Sequence, residues 1–182
     1  MTTTATRPSL PPMRPMRRGQ DLAEPLAPWN RPTRAARWWS MGVPLLLVLV
    51  GNGLLFATGT AGADPAFSSL RLAPPGWFVG LMWALIFPMW GYARWRVWQA
   101  GAVGRRAARW VVALMAWGLA YPVLTLGFET GLSAVANVAS LALVLLTTRR
   151  VQRASAPAAR WLVPSIVWIG FATALGLAAW WH

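Results

Sequence analysis

The sequence predicts an all-α integral membrane protein, a bundle of five transmembrane helices, and three observations predict it. Of 182 residues, 57 % are hydrophobic and only 12 % are charged, about half the charge of a typical soluble domain. Five stretches hold no Asp, Glu, Lys or Arg: 38–63, 72–93, 110–128, 130–148 and 161–182. Each is close to the roughly 20 apolar residues that cross a bilayer as a helix. The arginines between these stretches alternate. Seven precede the first; Arg71, beside Asp64, alone separates the first two; Arg94, Arg96, Arg105, Arg106 and Arg109 separate the next pair. Glu129 alone separates the third and fourth, and Arg149, Arg150, Arg153 and Arg160 separate the last two. The positive-inside rule places the N-terminus in the cytoplasm and the C-terminus outside, which fits a bacterial inner membrane.

Taken in order, residues 1–37 hold seven prolines, seven arginines and two acids. Such a segment buries no core and is expected to be a disordered cytoplasmic tail resting on anionic headgroups. An Arg-rich, acid-poor organelle-targeting leader is the competing reading. The transmembrane domain is expected over 38–182. Span one, about 41–62, ends in a Gly-rich stretch (Gly51, Gly53, Gly59, Gly62) that permits close helix approach. Span two, about 77–98, carries Pro88 near its middle and is expected to kink there. Span three, about 110–128, contains Pro122. Span four, about 130–148, has Ser133, Ala136 and Ser140 on one tightly packing face. Span five, about 161–181, includes Pro164. Membrane helices tolerate such prolines because neighbours satisfy the freed carbonyls.

Composition excludes much chemistry. There is no cysteine, and the single histidine is His182. Disulfides, thiolate nucleophiles, two-histidine metal sites and a Ser-His-Asp triad cannot be built in one chain. No carboxylate lies inside a span, which disfavours a proton relay. The net charge of +13 belongs with the membrane rather than nucleic acid, because it borders long apolar runs.

The 14 tryptophans sort by depth. Trp38, Trp39, Trp95, Trp98, Trp110 and Trp161 fall at the cytoplasmic ends of spans, and Trp77, Trp180 and Trp181 at the outer ends, as an aromatic belt would. Trp83, Trp90, Trp117 and Trp168 lie deep, where an indole N–H needs a partner. Trp83, Phe87 and Trp90 share one face of span two, which continues to Arg94; Trp168, Ala172 and Leu175 share a face of span five. Deep aromatics beside small residues suit a pocket for a flat apolar ligand, and ordinary packing is the alternative. The deep polar residues Asn52, Thr125, Asn137, Ser165 and Thr173 are expected to hydrogen-bond between helices.

The segment Pro74-Pro75-Gly76-Trp77-Phe78-Val79-Gly80-Leu81-Met82-Trp83, followed by Phe87 and Gly91-Tyr92, resembles the TspO/MBR family (translocator protein, peripheral benzodiazepine receptor, tryptophan-rich sensory protein). Its pattern there is P-P-x-W-x-x-x-P-x-W, then an aromatic and M-G-Y. Span five resembles the family's P-Y-x-x-W-x-x-F-A-T-x-L-N through Pro164, Trp168, Phe171-Ala172-Thr173 and Leu175. Tyr121-Pro122 with Gly127 is similar, more loosely, to W-x-P-x-F-F-G. The resemblance covers about residues 41–182. It departs at Leu81 (family Pro), Leu72 (often Trp), Gly118 and Gly176 (commonly Asn) and Ser133 (often aromatic), which removes polar groups and an aromatic wall. The family's sterol-associated pattern needs a Tyr and then a base, and residues 177–182 supply neither.

The resemblance implies a five-helix bundle, often a homodimer, that binds porphyrins and other hydrophobic aromatics in a cavity closed by the loop between spans one and two, here about 63–76. By position it implies Trp83 and Trp168 as pocket tryptophans, with Trp77, Phe87, Ala136, Ala172 and Leu175 around them. Ala116 and Ala120 on span three would serve a dimer contact or intrachain packing. The function expected is binding of tetrapyrroles or similar ligands within the membrane, in a regulatory or transport role, with porphyrin as ligand and no resident cofactor. The alternatives are light-dependent porphyrin degradation, its chemistry coming from ligand and light, and a membrane partner subunit with no small ligand.

Overall fold

The computed structural model describes residues 28–60 and 73–181, and all regular structure among them is helical. Five helices are long and apolar enough to cross a membrane: α1 (Arg34–Ala57), α2 (Gly76–Trp98), α3 (Gly101–Leu124), α4 (Thr130–Ala154) and α5 (Ala156–Trp181). This is the five-helix membrane bundle expected. Of the stretch 1–37 read as tail, residues 1–27 lie outside the described residues, as do most of 63–76 and His182. Residues 28–37 hold a 3-10 turn (Pro28–Asn30) and the first turn of α1.

All five helices extend past the charge-free runs at the arginine-rich end, α2 through Arg94 and Arg96 to Trp98. α1 starts at Arg34, where the Thr33 hydroxyl accepts a hydrogen bond from the Ala36 amide at 3.1 Å, a side-chain N-cap. α3 includes Arg105, Arg106 and Arg109, α4 continues to Ala154, and α5 begins at Ala156. Arginine is a good helix former, so its first appearance marks the edge of the apolar layer rather than the end of the helix. At the opposite end α1 stops at Ala57. The Thr58 hydroxyl donates back to the Leu54 carbonyl at 2.9 Å, and Gly59 takes φ +70°. The helix is therefore shorter there than the expected 41–62.

The prolines are absorbed differently. α2 runs unbroken through Pro88. α5 opens with the Ser155 hydroxyl accepting from the Ala158 amide and Pro157 in its first turn, where no amide donor is missed. It then tightens into a 3-10 turn at Arg160–Leu162 before continuing from Val163. Pro164 cannot donate to the Arg160 carbonyl, and the tighter turn falls at that gap.

α2 is the central helix, packing on α1, α3 and α5; α4 pairs chiefly with α5, and α1 barely meets α3. The core is built on Ile86, Phe87, Trp90, Ala93 and Val97 of α2, with Val111 and Leu114 of α3, Val144 and Val151 of α4 and Leu162 of α5. Close approach of α1 comes from α2, not from the Gly-rich stretch. A β-carbon at Gly51, Gly53 or Gly59 would meet nothing within 4 Å, whereas one at Gly91 would collide with the Ser40 carbonyl. The arginine-rich end is fastened by polar contacts. Arg94 donates to Asn30 Oδ1 at 3.0 Å and Ser40 Oγ at 3.2 Å, Trp95 Nε1 to the Arg31 carbonyl at 3.0 Å, and Gln99 to the Asn30 carbonyl at 2.9 Å. Arg94 thus holds the juxtamembrane turn against α2.

Candidate functional site

The stripe on α2 forms as its spacing requires. Trp83, Phe87 and Trp90 make a three-ring cluster with centroids 6.0, 6.0 and 5.1 Å apart, two of the three pairs edge-on, the geometry aromatic rings prefer. Trp90 is fully buried, and its Nε1 donates to Ser165 Oγ of α5 at 3.0 Å. Ser165 in turn donates to the Leu162 carbonyl at 2.6 Å. Trp117 Nε1 donates to Ser140 Oγ of α4 at 2.8 Å. Two of the four deep tryptophans are therefore fixed as interhelical struts. Among the described residues, the Trp83 and Trp168 indoles have no such hydrogen bond, and both border cavities.

Two cavities meet at Trp83 and Gly118. The smaller, about 30 Å³, lies among α2, α3, α4 and α5, with Trp83, Trp117, Tyr121, Asn137, Trp168 and Ala172 on its walls. That is room for little more than a water molecule. The larger, about 370 Å³, is a cleft between α1 and α3 with Trp83 and Phe87 of α2 at its base. Val48, Leu55, Leu119, Pro122 and Leu126 make its walls apolar; Asn52, Thr58 and Thr60 bring polar groups towards the arginine-poor end. The cleft exists because α1 and α3 both lean on α2 and scarcely touch each other. Its size and lining are those of a small-molecule pocket, roughly 300–1,000 Å³ and mostly apolar.

Of the residues expected at the site, Trp83, Trp168 and Ala172 come together at the small cavity, and Trp83 and Phe87 at the cleft. Trp77, Ala136 and Leu175 line neither. Trp77 is 63 % exposed, and its ring stands edge-on to Phe78 with centroids 5.7 Å apart. It stands six residues before Trp83, about 240° around the helix, on the same outward face as the exposed Leu81 and Leu85. Ala136 is half-buried and receives the Ser140 hydroxyl on its carbonyl. Leu175 is half-buried and follows Trp168 by nearly two turns, beyond the reach of the cavity. Phe78 instead packs edge-on against Trp168, with centroids 6.0 Å apart.

Sequence reasoning left Tyr121, Gly118 and the cleft walls on α1 and α3, Val48, Leu55, Leu119 and Leu126 among them, out of the site. Tyr121 donates to Asn137 Oδ1 at 2.9 Å, and the Thr173 hydroxyl lies 3.2 Å from the Asn137 carbonyl. Asn137 was marked as an interhelical polar residue, but nothing in a single sequence pairs it with Tyr121. At Gly118 a β-carbon would stand 3.2 Å from both Phe87 Cζ and Trp90 Cζ3; at Gly176 it would stand 3.2 Å from Asn137 Nδ2. At both departures from the family pattern, a neighbouring side chain occupies the space.

The belt expectation also divides. Trp38, Trp39, Trp77, Trp161, Trp180 and Trp181 are exposed. Trp95 is tied to Arg31, Trp98 packs against the core with its Nε1 buried and without a partner among the described residues, and Trp110 lies under Arg150.

The TspO/MBR family is matched over residues 41–182 of the chain. No curated protein and no solved structure matches it.

Proposed function

The chain belongs to the TspO/MBR family, and from that premise we propose that it binds a flat hydrophobic aromatic molecule of the porphyrin class within the membrane. Its role is regulatory or in transport. The observation that carries this reading is the cleft of about 370 Å³ with the Trp83 and Phe87 rings at its base. Apolar walls supply the affinity that a flat ring gains on leaving water, and the aromatic faces offer a stacking surface. The polar groups at one end, Asn52, Thr58 and Thr60, suit the polar edge of such a ligand. The cavity beside Trp168 is too small for it, so Trp83 is the principal contact and Trp168 supports it from behind. The arginine distribution supports an N-terminus in the cytoplasm of a bacterial cell, an inner-membrane location and an outward-facing cleft mouth. Ala116, exposed on α3, is compatible with a homodimer through that helix.

The test is titration of protoporphyrin with the detergent-purified protein, followed by the shift of the porphyrin's main absorption band. Wild type should give a saturable shift, Trp83→Leu should lose it, and Trp168→Leu should weaken it less. A shift that survives Trp83→Leu intact would remove the cleft from consideration.

A further inference from the structure

At the arginine-rich end of the bundle, the seam between α3 and α4 carries an arrangement that the aromatic cleft does not use. The guanidinium carbon of Arg150 on α4 lies 4.1 Å from the centroid of the Trp110 ring on α3, a close cation–π contact. Arg106 is one turn before Trp110 on the same face of α3, and Arg153 is nearly one turn beyond Arg150 on α4. All three arginines are exposed. Of the chain's four acids, only Glu129 is among the described residues, and it caps the far end of α4. Arg150 therefore stacks on the indole, and helix spacing puts Arg106 and Arg153 within about a turn of the pair, with no carboxylate among the described residues beside them. Such a cluster repels itself unless an anion stands between its members.

Depth and surroundings select the anion. Trp110 is half-buried, at the boundary where the charge-free run of α3 begins, the level at which indoles meet headgroups. Leu146, one turn deeper than Arg150 on α4, and Ala113, nearly one turn deeper than Trp110 on α3, are exposed apolar side chains, a surface for an acyl chain below the charges. A soluble anion would use the charges and leave these side chains idle. We propose that Arg106, Arg150 and Arg153, at the α3–α4 seam beside Trp110, form a binding site for the phosphate headgroup of an anionic phospholipid. The forked guanidinium donors hold the phosphate oxygens, and the Trp110 ring orients Arg150 from beneath.

The experiment is native mass spectrometry of the full chain in detergent, with phosphatidylglycerol or phosphatidylcholine of identical acyl chains added. Wild type should retain phosphatidylglycerol several-fold over phosphatidylcholine. The triple variant R106Q, R150Q, R153Q should lose that preference. A second triple variant, R34Q, R96Q, R160Q, removes the same charge from the other three helices and should keep it. Equal retention of the two lipids by wild type, or equal loss in both triple variants, would overturn the proposal in favour of diffuse surface charge. Inorganic phosphate that raises the wild-type melting temperature as much as phosphatidylglycerol would overturn it in favour of a soluble anion. If the seam variant does not purify folded, Arg150→Gln alone replaces it, and unchanged preference there overturns the proposal equally.

Discussion

The carbonyl oxygen of Ser40 occupies the place where a β-carbon on Gly91 would stand. Pro44, inside α1, has no amide hydrogen, so this carbonyl lacks its usual helical donor. Gly91 lets α1 close in until the bare carbonyl meets the glycine backbone, a contact type that recurs where helices touch. Gly91→Ala should therefore separate α1 from α2, because a backbone carbonyl cannot turn aside as a flexible side chain can. A loss of about 2–3 kcal/mol is expected, at the upper part of the range for overpacking, read from unfolding in mixed detergent. Gly118→Ala meets only the tips of the Phe87 and Trp90 rings at 3.2 Å and should cost less than about 1 kcal/mol. Equal costs at the two positions would show that the Ser40 contact has no special standing.

The Trp90–Ser165 hydrogen bond joins α2 to α5 through two side chains with almost no solvent exposure. Ser165→Ala leaves a buried indole N–H without its partner, which should cost about 1–3 kcal/mol. A double-mutant cycle with Trp90→Phe isolates the pair. Couplings of this kind inside membranes average about 0.6 kcal/mol, and a coupling at or above that value is expected here. A coupling near zero would mean that Ser165 matters only for packing.

How much of this was legible in the sequence depends on whether the signal is local. Five charge-free runs locate five helices, because apolar length is a property of consecutive residues. They miss the helix ends: α3 begins at Gly101 rather than 110 and α4 ends at Ala154 rather than 148, since arginine stays helical beyond the apolar layer. The Trp83–Phe87–Trp90 face was equally readable, being set by spacing on one helix. Partners on different helices were not. Nothing in the chain pairs Trp117 with Ser140 or Tyr121 with Asn137, and Gly51 reads as a packing glycine although it borders an open cleft. The division of the site into a small cavity and a large cleft depends on α1 and α3 standing apart, which no local pattern encodes.

The juxtamembrane turn is held by side chains of α2, with Asn30 buried between Arg94 and Gln99. Asn30→Ala removes one of the two acceptors of Arg94 and should loosen residues 28–34 without unfolding the bundle. Arg34, followed by Ala35, then reports the change as a trypsin site, whereas the Arg31–Pro32 bond resists the enzyme. If opening becomes easier by about 1.4 kcal/mol, cleavage there should accelerate about tenfold, because proteolysis follows the open population when closing is fast. An unchanged cleavage rate would show that the other contacts to the turn, from Trp95 and Ser40, suffice to hold it.

The cleft between α1 and α3 can be filled without touching its aromatic floor. Gly51 lines it, and a β-carbon there would meet nothing within 4 Å. Gly51→Phe should place a ring in the space proposed for the ligand and reduce porphyrin affinity at least tenfold, about 1.4 kcal/mol. Its effect on stability should be small, since no neighbour has to move. Gly53 has equally open surroundings but does not line the cleft, so Gly53→Phe adds the same bulk to α1 elsewhere. Porphyrin affinity that falls for the first variant and holds for the second ties binding to the cleft. Equal losses would trace the effect to α1 as a whole, and two unchanged affinities would send the ligand to another part of the molecule.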